Sequence, residues 1–147
     1  MRHGNRAARL VLAVVAVLLV ALPLALSSCG NSFPYQGTLS GDWSGQLTIL
    51  GRDVSIGGTL SITVDSKGAV SGTFTSTTEG ARPATMSGEV NNSGDLTGSV
   101  TLTIGATDFI SSWQGKMTAS GSSLGMQGTW TSQHGSGTFS GTGTSSK

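Results

Sequence analysis

The sequence predicts an all-β fold, an eight-stranded antiparallel up-and-down meander closed into a barrel, with a two-layer β-sandwich as the alternative packing of the same strands. Three observations predict it. From Leu39 onward apolar side chains recur at every second position, the signature of half-buried strands. Inside that alternation sits a repeat of the form apolar, any, Gly, any, apolar. Between the alternating segments lie short connections rich in Gly, Ser, Asn and Asp, and short connections join antiparallel neighbours.

In chain order the expected strands are Leu39 to Leu50, Ile56 to Val64, Ala69 to Thr77, Pro83 to Val90, Asp95 to Ile104, Asp108 to Ala119, Ser123 to Thr131 and Ser136 to Thr142. The glycine repeat appears as Trp43-Gly45-Leu47, Ile56-Gly58-Leu60, Val70-Gly72-Phe74, Met86-Gly88-Val90, Leu96-Gly98-Val100, Trp113-Gly115-Met117 and Met126-Gly128-Trp130, with Gly137 to Gly141 in the last strand. By parity these glycines face inward with the apolar residues. Glycine within a strand marks a bend or a close approach, and a ring of such positions lets a sheet coil tightly. Outward positions are Thr, Ser and Gln, such as Thr97, Ser99, Thr101 and Thr103, which suit a solvated pleat. A lipid-embedded barrel would reverse that arrangement and carry aromatic girdles, which these strands lack. Trp43, Phe74, Phe109, Trp113, Trp130 and Phe139 share the inward parity. They are expected to pack the core, and they are also the candidates for lining an interior ligand space.

The connections fall into two groups. After strands two, four and six come Asp65-Ser66-Lys67-Gly68, Asn91-Asn92-Ser93-Gly94 and Ser120-Gly121-Ser122, read as tight turns with Gly where φ is positive. After the odd-numbered strands come Gly51-Arg52-Asp53, Glu79-Gly80-Ala81-Arg82, Gly105-Ala106-Thr107 and Gln133-His134-Gly135. A meander places the second group at one end. Arg52, Asp53, Glu79, Arg82, Asp108 and His134 are therefore expected together, as a rim of exposed ion pairs and a candidate binding surface.

The N-terminus reads differently. Arg2, Arg6 and Arg9 precede an apolar run from Leu10 to Leu26, broken by Pro23 and followed by small residues, the layout of a secretory signal. The stretch Leu26-Ser27-Ser28-Cys29 resembles the lipobox of bacterial lipoproteins. That resemblance implies cleavage before Cys29, a diacylglycerol thioether on its sulfur, and an acyl chain such as palmitate on its new amino group. More than one acyl chain gives stable membrane anchoring. The residue after the cysteine is Gly30 and not the aspartate that retains such proteins in an inner membrane, so a cell with two membranes would hold this protein in the outer one. The domain reading is a signal over 1–28, a lipidated cysteine and flexible tether over 29–38, and the barrel over 39–147.

Other classes are disfavoured. Without the signal arginines the whole-chain charge of +1 becomes net negative, against the basic footprint of a nucleic-acid binder. Cys29 is the sole cysteine, so no intrachain disulfide can form. His134 is the one histidine after the signal, too few ligands for a transition-metal centre, and no cofactor motif occurs. Asp65 and Asp95 adjoin turns and read as turn formers. Gly121-Ser122-Ser123-Leu124-Gly125 fits the G-x-S-x-G pattern, but that motif needs a strand-to-helix elbow and here joins two strands. Gly41-Asp42-Trp43 resembles the Gly-x-Trp of the opening strand of lipocalins, which implies an eight-stranded barrel and a small apolar ligand. The chain departs from those proteins in having no arginine late in the barrel. The expectation is a non-enzymatic, lipid-anchored binding or envelope-interaction module outside the cytoplasm, partnered by an envelope protein. A lipocalin-like carrier of a small apolar ligand is the alternative.

Overall fold

The structure is a computed structural model and describes residues 32–146; the signal, Cys29 and Lys147 lie outside the described residues. Eight strands run β1 (Gly37–Ile49), β2 (Arg52–Val64), β3 (Ala69–Ser76), β4 (Ala84–Val90), β5 (Asp95–Ile104), β6 (Thr107–Ser120), β7 (Ser123–Ser132) and β8 (Gly135–Ser145). Each pairs antiparallel with the next, and β1 also pairs with β8 from Gly37↔Ser145 to Leu47↔Gly135, so the meander closes into a barrel. The sandwich is not formed.

Parity holds in every strand. Leu39, Trp43 and Leu47 of β1 are buried while Ser40, Asp42, Ser44 and Gln46 between them are exposed, and the other strands alternate likewise. Oil is inside, and the wall is hydroxyl and amide.

Register explains the glycines. Each tryptophan stands opposite one: Trp43 faces Gly58, Trp113 faces Gly98 and Trp130 faces Gly137. Trp43 reaches over Gly58 to the second strand along, where its Nε1–H donates to the Thr75 carbonyl at 3.0 Å. Trp130 does the same over Gly137, donating to the Ser44 carbonyl at 3.2 Å. A Cβ at Gly58 would lie 1.8 Å from the Thr75 oxygen and 2.8 Å from Trp43 Nε1. At Gly137 it would lie 1.9 Å from the Ser44 oxygen and 2.5 Å from Trp130 Nε1. The sheet coils so sharply at its waist that the neighbouring carbonyl and the ring N–H occupy the volume of a side chain. Trp113 runs the other way round the barrel, over Gly98 and Gly88, and its Nε1 is the buried side-chain polar atom without a partner among the described residues. Truncating such rings to Ala typically costs about 3–5 kcal/mol.

The turns depart from expectation. Leu50-Gly51, Gly105-Ala106 and Gln133-His134 are two-residue hairpins at the end away from Gly37, where the long connection is the segment between Ser76 and Ala84; Gly121-Ser122 is a two-residue hairpin at the Gly37 end. Leu50 (φ 52°) and Gly51 (φ 74°) form the doubly left-handed turn whose twist matches that of paired strands. Arg52 and Asp53 thereby belong to β2 and not to a loop. At the other end β1 starts at Gly37, and Phe33 and Tyr35, expected in the tether, pack against the core. Phe33 lies on Gly68 and Tyr35 on Gly94, the rings meeting edge-on at 5.7 Å.

Candidate functional site

The six interior aromatics are brought together as expected, each less than a tenth exposed. Trp43 stacks on Phe74 at 4.1 Å and meets Trp130 edge-on at 6.1 Å, while Trp113 meets Phe139 edge-on at 6.2 Å. Volume vacated by the glycines is filled by these rings. Among them lies a cavity of about 10 Å³ bounded by Trp43, Phe74, Phe109, Trp130, Ser111 and aliphatic neighbours, at the lower limit for one water. Ser111 is the buried polar residue of the interior among the described residues.

Arg52, Asp53, Glu79, Arg82, Asp108 and His134 do gather at the end away from Gly37, all exposed. They do not form the expected ion-pair rim. Asp53 accepts from Thr48 Oγ1 at 2.7 Å and Asp108 from Thr103 Oγ1 at 2.6 Å, each across its own hairpin. His134 lies edge-on to Phe109 at 5.5 Å. Arg82 is held by its backbone, N–H to the Thr103 carbonyl at 2.9 Å. The G-x-S-x-G residues form the β6–β7 hairpin and the start of β7, at the opposite end from His134.

The ion pair among the described residues lies elsewhere: Lys116 Nζ contacts Asp95 Oδ1 at 2.6 Å, with both side chains about half exposed. That bond, then a second from Asn91 Nδ2, holds the Asp95 carboxyl below its ordinary range. Asp65 is lowered as well, chiefly by the N–H groups of Lys67 at 2.8 Å and Ala69 at 2.9 Å. Both aspartates close their turns, as read from sequence.

Beside the Lys116–Asp95 pair is a feature that sequence reasoning missed, an outer groove of about 840 Å³ crossing β5, β6, β7, β8 and β1. Strand register lines its walls with two rows. One runs Thr97, Gln114, Thr129, Thr138, Ser44, and the other Asp95, Lys116, Gln127, Ser140, Asp42. Gly115 and Gly128 lie in its floor, where the waist pinches as sheets closed into barrels do. Chemically it offers amides, hydroxyls and one carboxylate, Asp42, outside the ion pair. The available signal was Gln114 and Gln127, each one residue before a repeat glycine and on the outward parity. Compared with known proteins, the chain matches no family model and no curated sequence.

Proposed function

We propose that this chain is a lipid-anchored, extracytoplasmic, non-enzymatic binding module that meets a partner in the cell envelope through its outer wall. The observation that carries the reading is the filled interior: with about 10 Å³ free inside and an 840 Å³ groove outside, the space for a partner is on the exterior. Anchoring rests on the lipobox resemblance at Cys29. Cys29→Ser should release the protein from the membrane fraction without unfolding it. For the groove, a photo-crosslinking residue at Gln114 should capture a discrete partner in intact envelope, and one at Thr73, on the opposite wall, should not. Equal labelling at both positions would remove the groove. Loss of capture on replacing Arg52, Glu79, Arg82 and His134 together would move the working surface to the hairpin end.

One observation favours a second reading, the lipocalin-like carrier. Ser111 is a buried polar residue on the wall of the small aromatic cavity, the kind of polar handle that fixes an apolar ligand. Occupation would require the rings to move apart. Native mass spectrometry showing only empty protein, with tryptophan emission unmoved by fatty acids, would dispose of this reading.

A further inference from the structure

We infer that the barrel end closed by Phe33 and Tyr35 is a lipid-facing surface that sits on phospholipid headgroups. The inference rests on the anchoring reading proposed above and adds to it which face meets the bilayer. Both rings are half-buried, set between the core and the exterior on Gly68 and Gly94. Aromatic side chains with one apolar side and one wet side suit the membrane interface.

Around them two of the three carboxylates are tied down, Glu89 beside Phe33 being the exposed third. Asp65 accepts two backbone N–H groups and Asp95 is bonded to Lys116 and Asn91. What projects from the turns is Ser66, Asn92, Ser93 and Ser122, with Lys67 as a cation for phosphate.

Chain length selects the occupant. Ser32, where the described chain starts, is three residues after Cys29, a reach of roughly 10 Å fully extended. The 13-residue β1, tilted as barrel strands are, puts the hairpin end roughly 30 Å farther away. An acylated Cys29 therefore leaves the Phe33–Tyr35 end within contact of the lipid and the far end out of reach.

The test uses the full chain, processed with its own signal and reconstituted into vesicles of phosphatidylethanolamine and phosphatidylglycerol. Because Cys29 is the sole cysteine and is consumed by the lipid, a nitroxide can be attached at one introduced thiol: Ser93→Cys, Gln133→Cys, or Thr73→Cys and Gln114→Cys on the walls. The Ser93 label should be shielded several-fold from a water-soluble nickel relaxant relative to Gln133, with both wall labels as open as Gln133. Equal access at Ser93 and Gln133, or shielding of a wall label as strong as at Ser93, in protein that floats with the vesicles would overturn the orientation and leave the anchor standing. Protein that fails to float, and partitions as Cys29→Ser does, would overturn both.

Discussion

The adjacent residues Gly57 and Gly58 give a test in which one chemical change has two outcomes. Alanine at Gly57 points outward, where its Cβ would approach the Trp43 carbonyl at 3.1 Å and come next to Ser44 at 3.8 Å. A small adjustment accommodates it, and surface substitutions of that kind stay within about 0.5 kcal/mol. Alanine at Gly58 points inward and would sit 1.8 Å from the Thr75 oxygen and 2.8 Å from Trp43 Nε1. It must push the β3 backbone away, and overpacking costs about 1–3 kcal/mol. It must also break the 3.0 Å bond between Trp43 and Thr75, leaving a buried donor unsatisfied at about 1–3 kcal/mol. Gly58→Ala is thus expected to cost about 2–6 kcal/mol, a fall of roughly 8–24 °C in Tm for a domain of this size, with a red shift of tryptophan emission as Trp43 is dislodged. Thermal unfolding of both variants checks it. Gly58→Ala matching Gly57→Ala would refute the claim that backbone and ring fill the place of a side chain.

Three further outcomes follow from the same geometry. Leu50 is 99% exposed in left-handed backbone, so Leu50→Asn, which makes the preferred Asn-Gly pair, should stabilise by about 0.5–1 kcal/mol in urea titration; a loss would mean that Leu50 has a contact in solution. Ser111→Ala removes the polar side chain set among buried apolar residues and should leave stability unchanged or raise it by about 1 kcal/mol, whereas a clear drop in midpoint would show that the hydroxyl is satisfied. For Asp65 and Asp95 the folded carboxyl titrates below the unfolded one, so their contribution is present above about pH 4, the unfolded value, and is lost as pH falls through the folded value. Thermal scans should show Asp65→Asn closing the gap to wild type on acidification below about pH 4; a gap that widens there contradicts the sign.

Much of this barrel was legible because period two and the inward glycines are both properties of single strands. Strand ends were harder. Arg52 and Asp53 read as loop because charged residues beside Gly51 resemble turn composition, and Leu50 carries no signal for the left-handed turn that it makes. Phe33 and Tyr35 follow no alternation; their burial comes from turns more than thirty positions downstream. The ion-pair rim failed because threonine hydroxyls directly across each hairpin reach Asp53 and Asp108 first. The groove was least accessible of all. Gln114, Gln127 and Asp42 become neighbours through pairing register, and register is set by the whole sheet rather than by any window of sequence.

The seam between β1 and β8 imposes an order of assembly. Every other ladder joins strands adjacent in the chain, so those hairpins can zip as they emerge, whereas this one must bring Gly37 beside Ser145 and carries nearly all of the loop-closure entropy. Until the last strand arrives, β1 presents a long row of unpaired amides of the kind that invites intermolecular sheet growth. Truncation within the final eleven residues of ladder should therefore yield aggregating chains instead of a slightly weakened monomer, and any holding factor met before closure would find its target on the first strand.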